Sequence, residues 1–323
     1  MVVVALGFDF TNGFHDTANA VATSVSTRAL SPRVAVLIAA IMNFLGAFTS
    51  TAVAKTVGGG LINTDNLTGH LILAALFGAI AWNLFTWYLG LPSSSSHALV
   101  GGLVGAALAA GGPDPVQWDG IWNKVVWPGL ASPVIGFVLA GALMVAILWA
   151  FRRILQGPLN RAFRLAQVFS GSFMAFAHGT NDAQKTMGVI ALALYSAGHT
   201  SSPTDIPDWV IAVAATAIAA GTYVGGWRIM RTMGTRIFKL EPPQGFAAQA
   251  TASGVLYTVA TRYGFPVSTT HVISSSVMGA GATTRVSAVR WGVAADIVTA
   301  WILTLPAAGL VAAAIYELLN AFM

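Results

Sequence analysis

Two aspartates, Asp16 and Asp182, lie inside apolar stretches, and each is set in a cluster of similar make-up: GFHDTANA at 13–20 and GTNDAQKT at 179–186. A charged side chain at the centre of a bilayer costs roughly 3 kcal/mol on insertion scales, so an intramembrane acid marks a functional site by default. A second pair of motifs, LPSSSSH at 91–97 and FPVSTTH at 265–271, recurs at nearly the same offset, about half the chain. Ser94, Ser95, Ser96, Ser268, Thr269 and Thr270 begin two short apolar runs, where a helix start would add unpaired backbone N–H groups to the hydroxyls. That combination binds anions. A single run of this kind is as readily a helix cap or a membrane hairpin whose hydroxyls satisfy local backbone groups. Two runs at matching places in the two halves point to a ligand.

The acids decide what accompanies such an anion. Two carboxylates and a bound anion carry more negative charge than Lys185 alone neutralises, and an uncompensated buried charge costs several kcal/mol. Cations are therefore expected to enter with the anion: protons, sodium, or a divalent metal that makes the anion a neutral complex. His15, His97, His178 and His271 flank the motifs, and histidine titrates near neutral pH. Each could instead be hydrogen-bonded to backbone at a helix break. Asp9 and Asp296 are acids outside the motifs, with Asp296 expected to make a structural hydrogen bond or helix pair, and Asn12, Asn43, Asn83 and Gln249 are polar groups of the kind that join helices.

Composition says what must position these residues. The chain has 323 residues, 56% hydrophobic and only 8% charged, with a mean hydropathy of +0.72. That leaves too little polar surface for a soluble protein, and a polytopic membrane protein is expected. Strand-like alternation is absent, which argues against a barrel. The formal charge of +5 resides in short loops, where it sets orientation, and is not a nucleic-acid footprint. There is no cysteine, so disulfides and thiolate metal sites are excluded. The first apolar stretch holds the polar cluster, and is expected to be a membrane helix, not a cleaved signal.

About ten hydrophobic segments are expected, near 2–27, 33–54, 67–89, 98–110, 124–151, 167–195, 209–227, 246–263, the run after 265–271, and 291–319. The Gly7 and Gly13 positions predict an interrupted first helix, and the second polar cluster predicts the same. Ser31 and Pro32 read as a cap and first-turn proline. Placing the basic stretches 28–33, 152–164, 228–239 and 285–290 inside puts the N-terminus outside. Each half then contributes an odd number of crossings, which makes an inverted-topology repeat: 1–151, a cytoplasmic basic linker at 152–166, and 167–323. Many secondary transporters use this arrangement to hold one site near the midplane.

At this point the chain resembles the inorganic phosphate transporter (PiT) family, whose signature is GANDVANA in both halves, followed by a PVSTTH-like hairpin. Gly13, Asp16, Asn19 and Ala20 match the first copy, with His15 in place of its first Asn. Gly179, Asn181 and Asp182 match the second, with Gln184 and Lys185 in place of Ala and Asn. These departures resemble the bacterial proton-coupled branch more than the sodium-coupled one. The resemblance implies an all-α protein in which two broken helices and two Ser/Thr-rich helical hairpins surround phosphate and the coupling cation. Substrate contacts are then expected from Asp16, Asn19, Ser94, Ser95, Ser96, Asn181, Asp182, Lys185, Ser268, Thr269 and Thr270, and cation coupling from Asp16, Asp182, His15, His97 and His271. The expected partners are inorganic phosphate, protons or sodium, a divalent metal complexed with phosphate, and the lipid bilayer, with homo-oligomers left open. The expected location is the cell membrane, crossed several times.

The sequence argues against other classes. No HExxH or GxSxG motif occurs and no nucleophile is paired with a base, so an intramembrane hydrolase is not expected. No resident metal and no cofactor is expected. A passive channel would need no inverted second copy, and no nucleotide-binding loop suggests a primary pump. A symporter of another tetrahedral oxyanion such as sulfate stays open, since hydroxyls and amides bind either.

Overall fold

The computed structural model describes residues 1–64 and 67–322. Among these the long elements are all helices, and the β contact is an isolated bridge between Ile62 and Val116. In chain order they are α1 (Val2–Ser26), α2 (Pro32–Ala47), α3 (Ala52–Gly59), α4 (Gly69–Leu89), α5 (Ser95–Gly111), α6 (Trp118–Ile121), α7 (Trp127–Ala150), α8 (Gln156–Ser196), α9 (Asp208–Val224), α10 (Trp227–Arg231), α11 (Pro242–Thr258), α12 (Thr269–Ala282) and α13 (Trp291–Ala321). Helices follow from the solvent: in hydrocarbon a backbone polar group left unpaired costs several kcal/mol, and a helix pairs its own.

Of the about ten hydrophobic segments expected, fewer qualify as spans by length and apolarity: among the described residues three helical stretches are long and apolar enough to cross a membrane, Gly69–Leu89, Trp118–Ala150 and Trp291–Ala321, and up to five if each of two bent pairs is one span. The bent pairs are α2 with α3, at 70°, and α9 with the stretch Trp227–Arg236, at 59°. α1 and α8 fall outside that class because polar residues run through their buried faces. α5 and α12 are short, as their apolar runs predicted.

The helix breaks do not fall where the sequence put them. α1 and α8 are continuous through Gly13 and Gly179. Here glycine lets helices touch. A Cβ on Gly13 would stand 2.9 Å from the Thr222 backbone N and would run into Ile218 O of α9. A Cβ on Gly179 would run into Asn43 O of α2. α1 thus lies against α9 as α8 lies against α2, and the breaks fall in α2–α3 and α9–α10, the helices that flank this pair.

α8 has 41 residues, about 60 Å at 1.5 Å per residue, so it outruns the roughly 30 Å hydrocarbon layer. Most of the 152–166 stretch expected as a linker is therefore its first three turns, with Arg161 and Arg164 exposed. Pro32 does occupy the first turn of α2, although the Ser31 hydroxyl makes no capping bond. Outward, α7 and α13 expose Leu130, Val134, Val138, Trp149, Ile302 and Leu310, a surface suited to lipid. Asp296 is exposed on α13 and shows no hydrogen bond among the described residues, contrary to the structural bond expected of it.

Candidate functional site

The polar residues of α1 share one face. Asp9, Asn12, Asp16 and Asn19 follow at steps of three and four, the spacing that stacks side chains along a helix. All four are buried. α8 brings His178, Asn181, Asp182 and Lys185 to meet them, also fully buried. Asn12 Nδ2 donates to Asp182 Oδ2 at 3.3 Å, and ligand atoms of Asp16 and Asp182 lie within 4.8 Å of one another, so the two aspartate motifs meet.

Two helix starts close this chamber. Gly90 (φ +67°) ends α4 and Gly264 (φ +64°) follows α11, both in the left-handed conformation that glycine adopts without strain. Each sends the chain into a short extended segment that leads to α5 or α12. At both starts a serine is the N-cap: Ser94 accepts from the His97 N–H and Ser268 from the His271 N–H, each at 3.2 Å. These two hydroxyls are taken up by caps, and the next residues are the ones that reach inward. Thr269 Oγ1 donates to Asp16 Oδ2 at 3.3 Å, and Asn19 Nδ2 donates to Thr270 Oγ1 at 2.8 Å. Ser96 Oγ accepts from Lys185 Nζ. Ser95 Oγ is buried without a partner.

Each acid has its own basic companion. Lys185 Nζ lies 2.6 Å from Asp182 Oδ1 and donates to Val267 O at 3.3 Å, tying α8 to both helix starts. Asn181 Nδ2 adds bonds of 2.8 Å to Asp182 Oδ1 and to Val267 O. Asp16 Oδ1 lies 2.6 Å from His15 Nδ1, whose Nε2 faces Thr86 Oγ1 at 3.1 Å and Ser93 Oγ at 3.3 Å. A hydroxyl can give or take a proton, so His15 can hold either charge state without losing a partner.

His178 shows where a cation fits. Its Nδ1 faces Asn43 Oδ1 at 2.9 Å, and a carbonyl oxygen only accepts, so Nδ1 carries the hydrogen. In neutral imidazole the Nε2 lone pair then points at Asp182 Oδ2, 3.5 Å away, two acceptors face to face. A proton or small cation between them removes the conflict. Asp16, His178 and Asp182 each offer one ligand atom, all within 4.8 Å of one another. That donor set suits a small cation.

Of the expected residues, Asp16, Asn19, Thr269 and Thr270 form one hydrogen-bonded group with His15, Ser96, Asn181, Asp182 and Lys185 form another, and the two meet where the Asp16 and Asp182 carboxylates come within 4.8 Å of one another. His97 and His271 do not join it through their rings. They meet edge to face, with centroids 4.7 Å apart, His271 also lies against Trp301 at 4.1 Å, and none of their ring nitrogens has a hydrogen bond. The sequence reading singled out neither Thr86, nor Ser93, nor the Val267 carbonyl. The last is a backbone atom that no pattern of side chains could flag, and Thr86 lies in an otherwise ordinary apolar helix.

A helical protein that turns leucine and tryptophan outward and holds acids, amides, a lysine and hydroxyls at its centre is built as a membrane transporter. Residues 12–312 match the profile of the phosphate transporter family. A "probable low-affinity inorganic phosphate transporter" of Rhizobium meliloti is 50% identical over 317 residues, 98% of this chain and 94% of that protein. One of the same description from Bacillus subtilis is 47% identical over 322 residues, 99% of this chain and 96% of that protein. A solved structure titled "The sodium-dependent phosphate transporter" superposes with a TM-score of 0.91 over 100% of this chain and 98% of that one, at 24% identity, a likeness of fold. The chain belongs to the phosphate transporter family, a family of transporters and not of enzymes.

Proposed function

We propose that the protein is a secondary active transporter of the cell membrane that takes up inorganic phosphate together with protons. The observation that carries this reading is the meeting of two buried acids, each already paired with a basic group, with the hydroxyl-bearing starts of α5 and α12. An anion entering here finds Ser95, Ser96, Thr269, Thr270 and Lys185 as donors, and meets Asp16 and Asp182 as repulsion. At an effective dielectric of about 20, like charges 4 Å apart repel by roughly 4 kcal/mol. Protonation of His15 or His178, or of either aspartate, removes a unit of negative charge and makes anion entry favourable. Anion and cation are then bound as a set, which is the thermodynamic core of symport.

The two halves, 1–151 and 167–323, act as inverted repeats in this reading. The matched caps at Ser94 and Ser268 and the matched glycine crossings at Gly13 and Gly179 support it. Phosphate enters free or as a neutral complex with a divalent metal. The test is uptake of labelled phosphate into proteoliposomes under an imposed pH gradient, with sodium, magnesium and unlabelled sulfate varied in separate arms. Gradient-driven accumulation without sodium is expected, and flux indifferent to the gradient overturns the proposal. Dependence on magnesium selects the metal complex, and full competition by sulfate broadens the substrate to tetrahedral oxyanions.

A further inference from the structure

Asp9 lies outside both sequence motifs, yet it shares the α1 face of Asn12, Asp16 and Asn19. Seven residues separate it from Asp16, about 10 Å along the helix toward its N-terminal end. It is fully buried, and both carboxylate oxygens are without a hydrogen-bond partner. The side chains that face it are Thr186 of α8 and Asn12 of its own helix, with Asp182 and Lys185 the charged groups in range. Thr186 Oγ1 and Asn12 Oδ1 are likewise buried and unpartnered, and Asn12 Nδ2 is committed to Asp182. The other helices on α1 hold their ionisable groups elsewhere: His70 and Tyr88 at the ends of α4, Asp208 and Tyr223 at the ends of α9, Arg33 at the start of α2, Arg228 and Arg231 on α10, and Tyr257 on α11. His97 of α5 and His271 of α12 face one another.

A bare carboxylate in this position would be a buried charge that the Thr186 hydroxyl alone could reach, Asn12 Nδ2 being committed to Asp182, and one neutral donor leaves most of its cost of several kcal/mol standing. A carboxylic acid is different. Its O–H can be given to Thr186 Oγ1 or Asn12 Oδ1, the two acceptors left free beside it. We propose that Asp9, with Asn12 and Thr186, forms a second cation site beside the phosphate chamber, at which Asp9 takes up and releases one of the transported protons. An O–H bond forms on the carboxylate from water on the entry side and breaks to water on the exit side, once per cycle. The inference rests on the symport reading and adds a stoichiometric step to it.

The experiment uses the full-length protein in sodium-free proteoliposomes with the membrane potential clamped. Phosphate accumulation at zero net flux is measured against the imposed pH gradient. Each coupled proton multiplies the accumulation ratio tenfold per pH unit. The wild type must show such a dependence, and if it does not, the symport reading itself fails. Asp9→Asn keeps the shape of the neutral acid and is expected to lower the ratio about tenfold per pH unit, while Asp9→Glu keeps the wild-type ratio. An unchanged ratio in Asp9→Asn makes Asp9 a permanently neutral structural acid and overturns the inference. If Asp9→Asn moves no phosphate, infrared difference spectra of the purified protein across pH decide. Disappearance of one protonated-carboxyl band in the variant supports the site, and an unaltered spectrum overturns it.

Discussion

Lys185 is expected to be the residue whose loss the fold tolerates least and whose loss can be repaired without restoring function. Its ammonium is 1% exposed and lies 2.6 Å from the fully buried Asp182 carboxylate, with further bonds to Ser96 Oγ and Val267 O. Lys185→Met fits the same space but leaves Asp182 with the amide donors of Asn181 and Asn12 and the His178 ring at 3.5 Å. Breaking one side of a buried ion pair costs about 3–5 kcal/mol, because the remaining charge stays buried. Removing that charge as well, in Lys185→Met with Asp182→Asn, is expected to return most of the loss, a coupling of similar size in a double-mutant cycle. Unfolding followed in detergent gives the four stabilities, and phosphate uptake is measured in parallel. The double variant is expected to be stable and inactive, since it has lost both a donor to the anion and a carboxylate that balances it. A Lys185→Met penalty under about 1 kcal/mol, or a double variant no more stable than the single, refutes the pairing drawn here.

Three further outcomes follow from the same geometry. Asp16→Asn removes the charge beside His15 and leaves one acceptor oxygen where His15 and Thr269 use two, and is expected to abolish gradient-driven phosphate uptake while the protein still folds; retained accumulation counts against Asp16 as a coupling group. Gly13→Ala and Gly179→Ala place a methyl against the backbone of α9 and α2, so each is expected to destabilise by about 1–3 kcal/mol, whereas Gly157→Ala, with open space around its Cβ position, should be near neutral in the same melt. Ser94→Ala and Ser268→Ala each delete a helix cap and are expected to cost about 1 kcal/mol, while Ser95→Ala, which deletes a hydroxyl with no protein partner, should leave stability unchanged and weaken phosphate uptake; an equal stability loss in all three refutes the division of labour between cap and ligand.

The sequence alone determined the membrane class, the two motif pairs, and most of the residue types that gather in the buried polar chamber. Those conclusions rest on composition and on spacing within a helix, where three or four residues always return a side chain to the same face. Asp9 is the instructive miss. Its spacing to Asn12 and Asp16 was visible in the chain, but only the approach of α8 showed that this face is turned to Thr186 and Asp182 and not to lipid. The glycines misled for a related reason. A glycine in an apolar helix weakens it or lets a neighbour in close, and the letter is the same; Ile218 O and Asn43 O, brought up by distant stretches of chain, decided for contact. The pairs His15–Asp16 and Asp182–Lys185 each lie within one helix, as neighbours and at a spacing of three, and were within reach of the sequence. What only three dimensions decided is which groups of other helices meet them, Thr86 and Ser93 at His15 and Ser96 and Val267 O at Lys185; such contacts in a dehydrated interior depend on a few ångströms set by how the helices cross, which no local spacing encodes.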